Sequence, residues 1–169
     1  MDYRLSIQQT TTSDLDQNWL PRVINEEILT GQDIRVTWGD DGKPWIKTPK
    51  GYFISGSDSG GYIAVALSRK PIGVDIEFKK QRIPELLFAT TDENERSQLK
   101  VHGANSLLAS WTAKESAQKA DAKIHNMNDY KITVDESDSM NFTIRRGLIE
   151  WRGIWHFEDD YICSLAIQQ

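Results

Sequence analysis

The sequence predicts an α+β protein in which antiparallel strands pack with a few helices. Two observations carry this prediction. The last third of the chain has the alternation and turn residues of a strand meander, and residues 104–123 have the alanine spacing of one long helix. A chain of 169 residues with 38% hydrophobic and 27% charged residues is typical of a globular domain.

Bulk properties exclude several classes of protein. The formal charge of −5 and the lack of a basic stripe argue against nucleic acid as a partner. No apolar run approaches the ~20 residues that span a bilayer, so we expect no membrane segment. Cys163 has no second cysteine to pair with, and residues 1–4 lack a secretory signal pattern. These features predict a cytoplasmic protein.

The first half of the chain is predicted to hold short strands and helical segments. Alternation at residues 3–8 predicts an edge strand, and Ser13 is a candidate N-cap for a helical segment. Pro21 either interrupts this segment or opens a second helix. A short strand at 34–38 precedes turn residues at 39–44. The small residues at 55–61 predict a flexible loop, followed by a hairpin of strands at 62–67 and 72–77.

The second half alternates helices with the meander. Pro84 suits the start of a short helix, and Thr90 with Glu93 predicts a capping box for the next one. The long helix then presents alanines along one face for close packing. The strands of the meander are expected at residues 131–134, 141–145, 148–157 and 161–167.

Residues 73–77, Gly-Val-Asp-Ile-Glu, form the first motif that carries chemistry. In a strand, Asp75 and Glu77 share one face with their stems about 7 Å apart, which lets both converge on one hard cation. The alternative is an amphipathic strand whose acidic face is simply solvated.

Residues 111–119 form the second motif, Trp-Thr-Ala-Lys-Glu-Ser-Ala-Gln-Lys. Trp111, Glu115 and Lys119 lie four apart and therefore stack along one stripe of the predicted helix. By itself such a Glu–Lys pair is most often a helix-stabilising contact worth about 0.5 kcal/mol or less.

Together the two motifs resemble the signatures G-[IV]-D-x-E and W-x-x-K-E-[AS]-x-x-K of the 4′-phosphopantetheinyl transferases. Gly42-Lys43-Pro44 and residues 161–167 resemble the larger, surfactin-synthetase-activating type, here with a shortened N-terminal region. The resemblance covers about residue 42 to the C-terminus. It implies a single domain over 1–169 with two pseudo-symmetric α+β lobes, approximately 1–78 and 79–169, which favours a monomer. A short internal echo between residues 61–67 and 160–166 agrees with two related lobes.

The resemblance also implies an activity. Such enzymes transfer the 4′-phosphopantetheine group from coenzyme A to a serine of an acyl or peptidyl carrier protein, using Mg²⁺. By this resemblance Asp75, Glu77 and Glu115 hold the metal, and Glu115 is the candidate base for the carrier serine. Lys119 matches the lysine that contacts the pyrophosphate.

Further candidate residues follow from the same resemblance. Lys43 matches a lysine at the nucleotide phosphate, and Lys114 is a second cation near the motif glutamate. Asp58 stands where the larger family members carry a histidine that contacts the 3′-phosphate of coenzyme A, and a carboxylate there would repel that phosphate. Residues 121–125 also depart from the usual glycine-rich continuation of the helix.

These departures keep two alternatives open. One is a degenerate family member that binds nucleotide or carrier without catalysis. The other is an α+β protein of another function in which the acidic strand is merely solvated.

Overall fold

The computed structural model describes residues 3–10, 19–25, 35–39, 42–80, 85–121 and 123–169. The strands are β1 (Tyr3–Gln9), β2 (Arg35–Trp38), β3 (Pro44–Thr48), β4 (Phe53–Ser59), β5 (Tyr62–Ser68), β6 (Ile72–Phe78), β7 (Lys131–Val134), β8 (Asn141–Arg146), β9 (Ile149–Phe157) and β10 (Tyr161–Gln168). The helices are α1 (Trp19–Val23), α2 (Glu85–Ala89), α3 (Glu93–Leu99) and α4 (Ser106–Ala120), with 3-10 turns at Lys100–Asn105 and Met127–Asp129.

The strands form antiparallel sheets, which confirms the predicted α+β class. One sheet has the order β1-β5-β4, a second has the order β6-β10-β9-β8-β7, and β2 pairs with β3. Among the described residues, no helix is long and apolar enough to cross a membrane.

The alternation predicted for β6 is observed. Val74 and Ile76 are buried in a core shared with Ala64 of β5 and Leu165 of β10, whereas Asp75 and Glu77 take the other face of the strand. Helix α4 packs across β6 and β10 on that acidic side, so the two signature motifs meet in space.

The close approach of α4 depends on small residues. Ala109, Ala113 and Ala117 are fully buried on the helix. On the strand, a Cβ added to Gly73 would lie 1.8 Å from the backbone oxygen of Ser116. Gly73 is therefore required by helix packing rather than by an unusual backbone conformation.

Three local predictions are wrong. Strands β5 and β6 do not form a hairpin, because β5 pairs with β1 and β4 whereas β6 pairs with β10. Residues 55–59, predicted as part of a loop, belong to strand β4, which is held in register by β5. The capping box lies two residues later than expected, with Asp92 as N-cap and Glu95 reaching back to its amide.

Helix α1 (Trp19–Val23) continues through Pro21, so the possible interruption at this residue is not observed. The other predictions agree closely. The long helix is shorter than the expected 104–123, since the backbone before Ser106 is 3-10 and Asp121 is the C-cap. Strands β1 and β7–β10 lie within one residue of their predicted bounds. The predicted N-cap Ser13, the start of the second strand at residue 34 and the helix start at Pro84 lie outside the described residues.

Candidate active site

Asp75 is the centre of the polar cluster between β6 and α4. Its side chain is almost completely buried, and Oδ1 lies 2.7 Å from Lys119 Nζ. Ser57 of β4 donates a hydrogen bond of 2.9 Å to the same Oδ1 and accepts one of 2.9 Å from Lys119 Nζ. The three side chains therefore form a closed triangle that satisfies one carboxylate oxygen only.

Glu77 is held from two sides. Ser59 Oγ donates to its Oε2 at 2.9 Å, and the side chain of Trp111 hydrogen-bonds to the same carboxylate. Trp111 begins the helical stripe that continues with Glu115 and Lys119. All three members of the stripe thus contact or electrostatically influence the two strand carboxylates.

Burial and mutual repulsion raise the pKa values of two carboxyl groups in the cluster. Burial raises the pKa of Glu115 to about 7; the charges of Asp75 and Glu77 add to this effect, and Lys119 opposes it. Burial also raises the pKa of Glu77, with Asp75 adding to the shift and the hydrogen bond from Ser59 opposing it. A single ammonium group is therefore not enough positive charge for three neighbouring carboxylates.

The cluster fits a hard divalent cation by its chemistry. It offers three carboxylates, the donors that Mg²⁺ prefers. Within the described part of the chain, Asp75 Oδ2 is buried without a hydrogen-bond partner. An unsatisfied buried oxygen costs about 1–3 kcal/mol, which a bound cation would recover. However, no group of three His, Cys, Asp or Glu side chains in the described ranges is already arranged as a metal centre.

A cavity of about 360 Å³ lies beside the cluster at the C-terminal end of α4. Its walls include two lysines and several aromatic side chains: Lys43, Trp45, Tyr52, Phe53 and Lys119. Lys43 Nζ donates to the backbone oxygen of Asp121 at 2.6 Å, which places its charge at the end of the helix. The cavity therefore combines apolar walls with two cations, a lining that suits an anionic ligand with a ring system.

The structure does not bring Lys114 to this cavity or to the carboxylates. Its fully buried ammonium donates to Glu95 at 2.9 Å and to the backbone oxygen of Thr90 at 2.6 Å. Glu95 also accepts from the backbone amide of Ile132, so the pair joins α3, α4 and β7. Lys114 is placed as a structural residue that anchors the helix.

Asp58 also lies outside the cluster. The alternation of β4 buries Ser57 and directs Asp58 to solvent, on the face opposite to the serines. The carboxylate of Asp58, which stands where the resembling motif has a histidine, therefore does not add its charge to the carboxylates of β6.

Sequence reasoning missed the three residues that hold the strand carboxylates. Ser57 and Ser59 lie in the stretch predicted as a loop, and Trp111 was placed on the stripe of the helix but not in contact with Glu77. The available signal was period-two spacing of serines at 55, 57 and 59, which is typical of one face of a strand.

Comparison with known proteins agrees with the two motifs. The family model of the 4′-phosphopantetheinyl transferase superfamily matches residues 71–166, which is more than half of the chain and includes both β6 and α4. A search of the curated proteins finds no match.

Proposed function

The chain belongs to the 4′-phosphopantetheinyl transferase superfamily, and on this premise we propose that it transfers 4′-phosphopantetheine from coenzyme A to a serine of an acyl or peptidyl carrier protein with Mg²⁺. The observation that carries the proposal is the meeting of Asp75, Glu77, Glu115 and Lys119 beside a cavity with cationic walls. The premise supports transferase chemistry of this type; coenzyme A, magnesium and the carrier are our proposal.

In this mechanism Asp75, Glu77 and Glu115 would hold the cation. When bound, Mg²⁺ would offset the charge of the coenzyme A pyrophosphate and orient its oxygens. Lys119, whose side chain is 29% exposed, reaches the cavity and stabilises the same pyrophosphate.

Glu115 acts as the general base. Burial raises its pKa to about 7 in the cation-free protein, and this carboxylate is the group placed to accept the proton of the carrier serine. The serine oxygen then forms a bond to the β-phosphorus of coenzyme A. The bond from that phosphorus to the bridging oxygen breaks, and adenosine 3′,5′-bisphosphate leaves with the electron pair.

The cavity is assigned to the nucleotide portion of coenzyme A. Lys43 at its wall contributes positive charge for phosphate, and the aromatic side chains supply apolar surface for the base. The exposed side chain of Asp58 is directed away from Ser57, so its charge does not add to the carboxylate cluster. We also propose the surfactin-synthetase-activating subtype, a cytoplasmic monomer, and no nucleic-acid partner.

The proposal includes two pseudo-symmetric lobes within one domain. Strand order supports it. If the halves are β1–β5 and β6–β10, the first strand of each half pairs with the last strand, and the last strand pairs with the one before it: β1-β5-β4 and β6-β10-β9. The two Tyr-Ile strands, β5 and β10, each lie between two partners, and the rings of Tyr62 and Tyr161 are 4.7 Å apart. This order supports two related halves of the chain.

The test is mass spectrometry of apo-carrier proteins incubated with this protein, coenzyme A and Mg²⁺. We expect one phosphopantetheine to be added, and we expect Glu115→Gln to reduce the rate by about 10²–10⁴-fold. Glu93→Gln, at an exposed position on α3, is the matched control and should transfer at the normal rate. Carrier binding without any transfer would instead support the non-catalytic alternative.

A further inference from the structure

We propose that Ser57 and Ser59 are positioning residues that determine which oxygens of Asp75 and Glu77 are presented to the cation. This inference rests on the proposed function, since it concerns the same carboxylates. It assigns a role to strand β4, which neither signature motif includes.

The three alternate serines of β4 line one face and join this strand to β6. Ser55 Oγ accepts from the Val74 amide at 3.0 Å, and Ser59 Oγ accepts from the Phe78 amide at 3.1 Å. The residue numbers of the bonded partners increase in the same direction along the two strands, from Ser55 with Val74 to Ser59 with Phe78. Strands β4 and β6 therefore run parallel here. They are linked by hydroxyl groups where a sheet would use backbone bonds.

Ser57 fixes the orientation of Asp75. Its hydroxyl accepts from Lys119 Nζ, so its proton is directed to Asp75 Oδ1. Lys119 also binds Oδ1, at 2.7 Å. Both donors therefore engage one oxygen, and Oδ2, buried and without a partner among the described residues, is left as the oxygen for the cation.

Ser59 restrains Glu77 in a similar way, by holding its Oε2. Because its oxygen accepts from the Phe78 amide, its proton is directed to Glu77 Oε2 at 2.9 Å. Trp111 contacts the same carboxylate from α4. Without these contacts each carboxylate would sample several orientations. The free energy needed to fix one orientation on binding would then reduce the affinity for the ion.

Ser55 provides the comparison that separates positioning from simple strand linkage. It is buried and accepts from a backbone amide of β6 in the same way, but this hydrogen bond involves no carboxylate. A Ser55→Ala variant therefore loses a strand link while the orientation of Asp75 and Glu77 is retained.

The experiment is a titration of the full chain with Mn²⁺, followed by electron paramagnetic resonance, without coenzyme A or carrier. We expect Ser57→Ala and Ser59→Ala to bind Mn²⁺ about 10–100-fold more weakly than the wild type, the range for lost support of metal ligands. Ser55→Ala should lower the melting temperature but bind Mn²⁺ with normal affinity. Ser57→Thr, which keeps the hydroxyl, should restore binding.

Two results would overturn the inference in distinguishable ways. Folded Ser57→Ala and Ser59→Ala proteins with wild-type affinity for Mn²⁺ would refute the positioning role alone. A wild-type protein that does not bind Mn²⁺ would refute the cation site of the proposed function, and the positioning role with it. If Ser57→Ala does not fold, Ser59→Ala at its less buried position gives the same decision.

Discussion

Replacing Gly73 with alanine should separate the two motifs physically. The new Cβ would lie 1.8 Å from the backbone oxygen of Ser116 and 2.8 Å from the backbone nitrogen of Ala120. Since a carbon normally approaches a carbonyl oxygen no closer than about 3.3 Å, α4 must retreat from β6 by about 1.5 Å. Both atoms are backbone atoms, so no change of side-chain rotamer relieves the clash.

The retreat of α4 carries Glu115 and Lys119 away from Asp75. The contact of 2.7 Å between Lys119 Nζ and Asp75 Oδ1 would open to about 4 Å, beyond hydrogen-bond range. A misplacement of about 1 Å can reduce catalysis by about 10²-fold, so we expect at least that loss in carrier modification. Overpacking should also cost about 1–3 kcal/mol of unfolding free energy.

The measurements are urea denaturation and the carrier-modification rate on the same preparations. Gly147→Ala is the control, because Gly147 has a φ of +60° but nothing within 4 Å of an added Cβ. It should lose a comparable amount of stability through backbone strain but keep the transfer rate. If Gly73→Ala retains both the normal rate and normal Mn²⁺ affinity, then close packing of α4 on β6 does not position the site.

Three further predictions concern charge. Lys114→Met should lower the unfolding free energy by about 3–5 kcal/mol in urea denaturation, because it leaves a carboxylate with 2% exposure unpaired. Arg145→Met is the control: it removes an ion-pair partner that is 70% exposed, so it should change the unfolding free energy little. Burial lowers the pKa of His102 below its usual value of about 6.5, so this residue's contribution to stability is present above that pH and lost below it. His102→Phe should therefore flatten the fall in melting temperature as pH decreases from about 7.5 to 5, and an unchanged slope would contradict this. Asp75→Asn should lower the pKa of Glu115 from about 7 while burial keeps it above the usual value, as measured by carboxyl NMR titration; an unchanged pKa would show that Asp75 does not act on Glu115.

The elements that could be predicted from the sequence are those whose pattern is local. Alternation fixed the faces of β6, and turn residues delimited the meander of β7–β10, since both signals act over a few residues. The pairing of β6 with β10 is set by partners about 90 positions apart, and no local signal specifies it. The expected hairpin of β5 and β6 failed for this reason.

The two motifs also predicted that Asp75, Glu115 and Lys119 come together, and the structure places them near one another on β6 and α4. Because Lys114 is adjacent to Glu115 in the sequence, it was expected near the same site, but its ammonium group contacts Glu95 instead. Adjacent helix positions differ by 100° around the axis, so Lys114 enters the core beside α3 whereas Glu115 lies near β6.

Strand β4 shows why the support of the site could not be read from its composition. Serine and glycine have weak strand preference, and the segment is a strand because backbone bonds to β5 impose it. Once it is extended, period-two geometry turns Ser57 and Ser59 to the carboxylates and Asp58 to solvent. The same backbone constraint therefore creates the contacts to the candidate metal ligands and directs the charge of Asp58 away from them. The effect of a substitution in β4 on the site should therefore depend mainly on which face of the strand the residue occupies, and less on its charge.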